Sequence, residues 1–183
     1  LKRPDLILHI NANYAQTSMV STLFVIKEVM TGESDLIISY GDIVYEPNVL
    51  SSLKMVEAPI GIAVDLEWRR YWEARMDNPL ADAETLKLTN SGRVVELGKK
   101  PQSYDDIQGQ YIGLIKIRAD YVPHLYEVWC AMDRTKTYEG NGFENMYMTT
   151  FLQHLIDSGW DARAAFIHNS WAEIDSVSDL SIA

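Results

Sequence analysis

Apolar residues fall into short runs separated by polar, turn-forming stretches, and two different periods alternate along the chain. Short apolar or β-branched runs predict strands at Leu6–Ile10, Leu36–Ser39, Ile60–Val64, Thr85–Leu88, Val94–Leu97, Tyr111–Ile117 and Ala164–His168. Helical spacing appears between them. Met19, Val20, Leu23, Phe24, Lys27 and Met30 lie mostly on one face, with Thr17 as a candidate N-cap and Gly32 as a stop. Pro47 suits the first turn of a helix that turns Val49, Leu50 and Leu53 inward. Tyr121–Met132 and Phe143–Ser158 are two further helices, the second ended by Gly159. Strands alternating with helices predict an α/β fold. Leu86 to Leu97 reads as a hairpin, because Asn90-Ser91-Gly92 tolerates positive φ. It delivers Lys99 and Lys100 to its far end. The stretch from Trp68 to Ala83 holds two Trp, three Arg and a Pro, and reads as helix and loop inserted as a lid or acceptor wall.

Composition narrows the class. The 183 residues, 47% of them apolar, make one domain with a substantial core over 1–183. No apolar run approaches the roughly 18 residues that span a bilayer. The single cysteine, Cys130, excludes an internal disulfide and predicts a reducing cytoplasm; between Trp129 and Ala131 it reads as a core thiol. A net charge of −10 argues against a nucleic-acid surface, which needs a basic stripe. It leaves a small metal-bound nucleotide open, since a few local charges hold one. His9, His124, His154 and His168 lack metal-ligand spacing, and no Gly-x-Ser-x-Gly elbow occurs.

Two stretches could carry chemistry. Leu36-Ile37-Ile38-Ser39 stops at Tyr40-Gly41-Asp42, where Gly41 allows a tight turn and Asp42 sits at the carboxyl end of a strand. Ligands of open α/β sheets bind at that edge. Asp42 is there either a hard-oxygen ligand for Mg2+ or an ordinary turn cap. Trp171-Ala172-Glu173-Ile174-Asp175 follows the last strand, and Ser176 with Asp179 has the spacing of a helix N-cap with an acid in the first turn. Asp175 is the natural second carboxylate.

Five pieces in order carry a resemblance: Tyr40-Gly41-Asp42, Gly98-Lys99-Lys100-Pro101, Gly109-Gln110-Tyr111-Ile112-Gly113-Leu114, Tyr147-Met148-Thr149-Thr150 and Trp171-Ala172-Glu173-Ile174-Asp175. Together they resemble the nucleotidyltransferase superfamily that includes sugar-phosphate, phosphocholine and phosphonate cytidylyltransferases. The segment from Asp65-Leu66-Glu67-Trp68-Arg69 to Asp82-Ala83-Glu84, with Glu173-Ile174-Asp175, favours the phosphocholine and phosphonate branch. The resemblance implies a Rossmann-like α/β/α sandwich, mostly parallel, with an antiparallel accessory hairpin. It implies Mg2+-dependent nucleotidyl transfer from a nucleoside triphosphate, CTP by preference, to phosphocholine, 2-aminoethylphosphonate or a similar acceptor, with release of pyrophosphate. Asp42 and Asp175 would hold the metal, Lys100 would meet the acceptor phosphate, and Glu173 would support either.

The remaining assignments have bland alternatives. Trp68, Trp72, Tyr111, Tyr147 and Trp171, beside Asp65, Glu67, Glu144 and Glu173, form either a cage for an amine-bearing head group or ordinary packing. Arg69, Arg70 and Arg75 suit substrate phosphate or ion pairs with Asp77, Asp82 and Glu84. The family's Gly-rich triphosphate loop has no match here; the chain opens at Leu1-Lys2-Arg3-Pro4 and enters Leu6–Ile10 at once. The expectation is therefore a domain without its first βα units, inactive alone, exposing apolar surface near Leu6–Ile10, Met19–Met30 or Ile60–Val64, and closing it as a homodimer. The competing readings are a GT-A-like glycosyltransferase, against which stands the single Asp of Tyr40-Gly41-Asp42, and a non-catalytic binding or assembly module.

Overall fold

The computed structural model describes residues 5–181. Its elements, in chain order, are α1 (Met19–Leu23), β1 (Leu36–Ser39), β2 (Ile43–Tyr45), α2 (Pro47–Lys54), β3 (Ile60–Asp65), α3 (Trp68–Arg75), β4 (Leu86–Leu88), β5 (Val94–Leu97), β6 (Gln110–Ile117), α4 (Val122–Ala131), β7 (Thr137–Tyr138), β8 (Asn141–Gly142), α5 (Met148–Asp157), β9 (Ala162–Ile167) and β10 (Trp171–Glu173). The central sheet has the order β1-β6-β3-β9. β1, β3 and β9 run the same way, and β6 runs against both of its neighbours. Three of the four strands thus share one direction, in the mainly parallel sheet with antiparallel strands that the resemblance implies.

The sheet is covered on both faces. Ile60, Ile62 and Val64 of β3 join Ile115 and Ile117 of β6 in the larger core, against Leu125 of α4 and Phe151, Leu152 and Leu155 of α5. Ala63 of β3 and Leu114 of β6 point the other way, to Val49 and Leu53 of α2. Alternation along a strand thus divides one run between two cores. Because both faces are covered, β3 and β6 are buried at every position and read as continuous apolar runs. Between the pairs Ile62–Ile115 and Val64–Tyr111 the register slips, and this bulge takes in Gly113 at φ +78°. A Cβ there would meet the Tyr40 ring at 2.7 Å, so the position requires glycine.

Several expectations are corrected. Leu6–Ile10 forms no strand, and Leu6, Ile7, Leu8 and Ile10 are 61–84% exposed. Three apolar residues in a row and a fourth after His9 supply β pattern, but a strand needs a paired neighbour, and this run pairs with none of the described strands. Ile60–Val64, expected on an open surface, is the buried centre of the sheet. The helix over Met19–Met30 breaks into α1 and a 3₁₀ segment at Phe24–Val29. Cys130 is exposed, not a core thiol. The chain does turn at Gly41, as expected, but without positive φ and with open space around the residue. Ser176 caps no α-helix: a 3₁₀ turn, Asp179–Ser181, follows instead.

The hairpin β4–β5 forms as expected around Gly92 at φ +76°. Its turn also pairs with β9, through Arg93–Arg163 and a bond from Ala164 N to Gly92 O of 3.0 Å. β1 occupies the opposite edge of the sheet and pairs with β6 alone among the described strands. No described helix is long and apolar enough to cross a membrane.

Candidate active site

The parallel strands β1, β3 and β9 all end at one edge, and the site gathers there. After β1 the chain turns at Gly41-Asp42 and returns as β2, which pairs with β10 in a small antiparallel ladder, Ile43 opposite Glu173 and Tyr45 opposite Trp171. Ile174 N donates to Asp42 O at 2.8 Å and extends that ladder past its end. Neither short strand is conspicuous in the sequence, yet their pairing brings the two candidate acidic stretches together. One oxygen from each of Asp42, Glu173 and Asp175 lies within 4.8 Å of the others. Asp42 and Asp175 are exposed and Glu173 is half-buried. Burial raises the Glu173 carboxyl above its ordinary range, the Arg75 guanidinium opposes this, and Asp175 and Asp42 add to it.

A cleft of about 220 Å³ opens beside this cluster. Its wall includes Tyr40, Trp72, Glu84, Tyr111, Tyr147 and Trp171, with Glu173 and Asp175 on its rim. A second hollow shares Asp82, Ala83, Glu84 and Tyr147 with it, and continues to Lys100 and Glu139. Trp72 is 4% exposed and donates its indole N–H to Asp82 at 2.9 Å. Tyr111 is buried, and its hydroxyl makes no hydrogen bond of good geometry. Tyr147 is half exposed at the junction of the two hollows. Lys100 reaches across the second hollow and donates to the Ala81 carbonyl.

Three predicted contacts are not on the cleft. Trp68 is packed away in a cluster with Trp72, Ala83 and Ile107. Glu144 pairs with Arg134 at 3.3 Å and accepts from Ser21 at 3.1 Å, away from both hollows. Arg75 is used up by protein carboxylates, Glu173, Asp175 and Asp179, rather than by Asp77, Asp82 and Glu84 or by open space. Of the acids placed in the amine cage, Asp65 is wholly buried and Glu67 faces Asn169 and His168.

The residue that sequence reasoning left out is Glu84. It lies in the Asp82-Ala83-Glu84 segment, whose position after a Trp-rich helix is its only sequence signal. Burial, with Glu139 and Asp82 nearby, raises its pKa from the ordinary 4.5 to about 7, although Thr149 and Lys100 pull it down. The folded chain therefore holds a proton that the unfolded chain has lost between those two values, and stability falls as pH rises through that window. The melting temperature is expected to drop between pH 5 and pH 8 more steeply in the wild type than in Glu84→Gln. Parallel profiles would show that Glu84 titrates normally.

No family model matches the chain. It is 44% identical over 177 residues to the CTP:phosphoglutamine cytidylyltransferase of Campylobacter jejuni, which covers 94% of this chain and 70% of that protein. The chain belongs to the cytidylyltransferase branch of the nucleotidyltransferases. Solved structures share the fold at low identity. The inositol-1-phosphate CTP transferase of T. maritima superposes with a TM-score of 0.64 at 20% identity, over 92% of this chain and 60% of that one. The nucleoside-diphosphate-sugar pyrophosphorylase of Vibrio cholerae gives 0.51 at 12%, over 81% of this chain and 55% of that one. The chain thus spans less than two thirds of these nucleotidyltransferase structures. The family is one of enzymes.

Proposed function

We propose that this chain takes part in Mg2+-dependent cytidylyl transfer from CTP to a small acceptor carrying a phosphoryl or phosphonyl group and an amine-bearing or amide-bearing head. The observation that carries this reading is the convergence of Asp42, Glu173 and Asp175 at the rim of an aromatic-lined cleft. Their donor set fits the metal: all three offer hard oxygen, and two of the three are exposed. Asp42 and Asp175 would be the ligands and Glu173 their neighbour. When bound, the ion would neutralise charge on the phosphoryl group being transferred.

The chain's own residues do the rest. Trp72, Tyr111, Tyr147 and Trp171 supply aromatic surface for a head group, and Glu84 and Asp82 supply carboxylates beside it. Lys100 and Lys99 border the second hollow, where a phosphoryl group of the acceptor would meet a cation. The relative's name puts phosphoglutamine first among acceptors, ahead of phosphocholine and 2-aminoethylphosphonate. Because Trp72 and Trp171 line the cleft, binding can be read directly. Phosphoglutamine with CTP and Mg2+ is expected to change tryptophan fluorescence saturably, and Glu84→Gln to weaken that response. Pyrophosphate release above the acceptor-free background is the companion assay. An equal response to glucose 1-phosphate would reject the amine-bearing acceptor.

The open edge at β1 and the exposed Leu6, Ile7, Leu8 and Ile10 support a homodimer as part of this proposal. Sedimentation at micromolar concentration should give a dimer, and Leu8→Asp combined with Ile37→Lys a monomer. A monomeric wild type would reject it.

A further inference from the structure

Arg75 closes α3, and its side chain is only 4% exposed. It spends all three guanidinium nitrogens on separate carboxylates. Nη1 meets Glu173 at 2.6 Å, Nη2 meets Asp175 at 2.7 Å and Nε meets Asp179 at 3.3 Å. The guanidinium carbon also lies 5.1 Å from the centre of the Tyr71 ring. Tyr71 grips the same strand, donating to Glu173 O at 3.1 Å and accepting from Glu173 N at 3.0 Å. Asp179 in turn accepts from Asp175 N at 3.1 Å, Ser176 N at 2.7 Å and Ser176 Oγ at 2.9 Å. Among the described residues, no other basic side chain forms an ion pair with Glu173, Asp175 or Asp179. A planar fork is the one cation shape that can serve three acceptors in fixed directions.

We propose that Arg75 is a positioning residue: a resident counter-cation that holds Glu173 and Asp175 in place for a divalent ion. The inference rests on the metal reading above and goes beyond it. Arg75 touches neither the cleft nor the far face of the cluster, where Asp42 and the exposed edge of Asp175 stand open. It supplies charge from beneath and leaves the outer oxygens free. A side chain that instead bound substrate phosphate would keep some nitrogen unspent and facing the cleft.

Two effects of removing Arg75 oppose each other. Losing the cation leaves Asp42, Glu173, Asp175 and Asp179 to repel, which raises their demand for a divalent ion. Losing the fork lets Glu173 and Asp175 swing, which lowers the affinity they can offer. Two substitutions separate these effects. Arg75→Met keeps volume and removes charge. Its melting temperature is expected to fall in EDTA and to recover largely with Mg2+, a shift much greater than the wild type shows. Arg75→Lys keeps charge and removes the fork. It should melt near the wild type in EDTA, yet bind Mn2+ about tenfold more weakly, the low end for a group behind a metal ligand. Mn2+ affinity is measured by electron paramagnetic resonance of the free ion, and Arg69→Met, in an exposed pair with Glu73, is the control. If Arg75→Met is insoluble, the Lys variant decides. A loss of stability in Arg75→Met that Mg2+ leaves unchanged, or wild-type Mn2+ affinity in Arg75→Lys, would overturn the inference while leaving the metal site standing. Absence of Mn2+ binding by the wild type would overturn both.

Discussion

Asp42→Asn is expected to weaken Mn2+ binding by more than about 100-fold, since removing even a group behind a metal ligand costs about 10–100-fold. Asp42 is the one member of the acidic cluster that comes from the β1–β2 turn, whereas Glu173 ends β10 and Asp175 follows it two residues on. Losing it leaves the ion held from one strand only. The side chain is exposed, and none of the hydrogen bonds or ion pairs above uses its carboxylate, so the fold should be unaffected. The substitution therefore separates ligation from stability: Mn2+ affinity collapses while the melting temperature in EDTA stays within about a degree. A small rise in that temperature would even be consistent, since one of four mutually repelling acids has gone. Asp120→Asn is the matched control, an exposed acid paired with Arg118 far from the cluster. Unchanged Mn2+ affinity in Asp42→Asn would sink the metal assignment.

The sheet was legible because burial on both faces writes itself as unbroken apolar runs. Ile60–Val64 and Tyr111–Ile117 each needed one added residue at one end to match β3 and β6. Leu36–Ser39 and Val94–Leu97 matched β1 and β5. The same rule misled at Leu6–Ile10, where an apolar run pairs with none of the described strands. Period alone cannot report a missing neighbour. β2 and β10 escaped for the opposite reason: three residues each, with mixed burial, is too short for any period to show.

The site was legible in part. Asp42, Glu173 and Asp175 each stood out as an acid after a strand, and their convergence follows once β2 and β10 pair. The cage was misassigned because aromatic count does not say which face a ring presents. Trp72 and Trp68 are four residues apart on α3, yet one edges the cleft and the other fills a core. Arg75 was read as a substrate contact because its partners, more than 95 residues away, are invisible to local spacing. Glu84 carried no signal of its own: its raised pKa is a property of burial beside Asp82 and Glu139, not of sequence.

Asp65→Ala should be among the most damaging single changes to stability. Asp65 ends β3 wholly buried, and two of its three side-chain bonds reach the turn between β9 and β10 and the first residue of β10. Oδ1 accepts from Glu67 N at 2.9 Å and from Asn169 N at 3.0 Å, and Oδ2 accepts from the Trp171 indole at 2.9 Å. These bonds hold a turn that is costly by itself, since Asn169 and Ser170 both adopt positive φ, at 54° and 64°. The turn sets where β10 begins, and Trp171 then packs between Tyr71 and Trp72 with ring centres 5.4 and 6.0 Å away. Removing the carboxylate leaves three donors without their acceptor, each worth about 1–3 kcal/mol when buried. Solvent can reach some of them, so the total is about 3–5 kcal/mol, or on the order of 10 °C in melting temperature for a chain of this size. Asp65→Asn keeps one carbonyl acceptor and should lose roughly half as much. Because β10 ends at Glu173 and leads directly into Asp175, Mn2+ affinity should fall together with stability, although Asp65 belongs to neither the cleft nor the metal cluster. A melting shift under about 3 °C in Asp65→Ala would mean that the β9–β10 turn holds itself, and that the buried carboxylate is not what fixes the acidic strand.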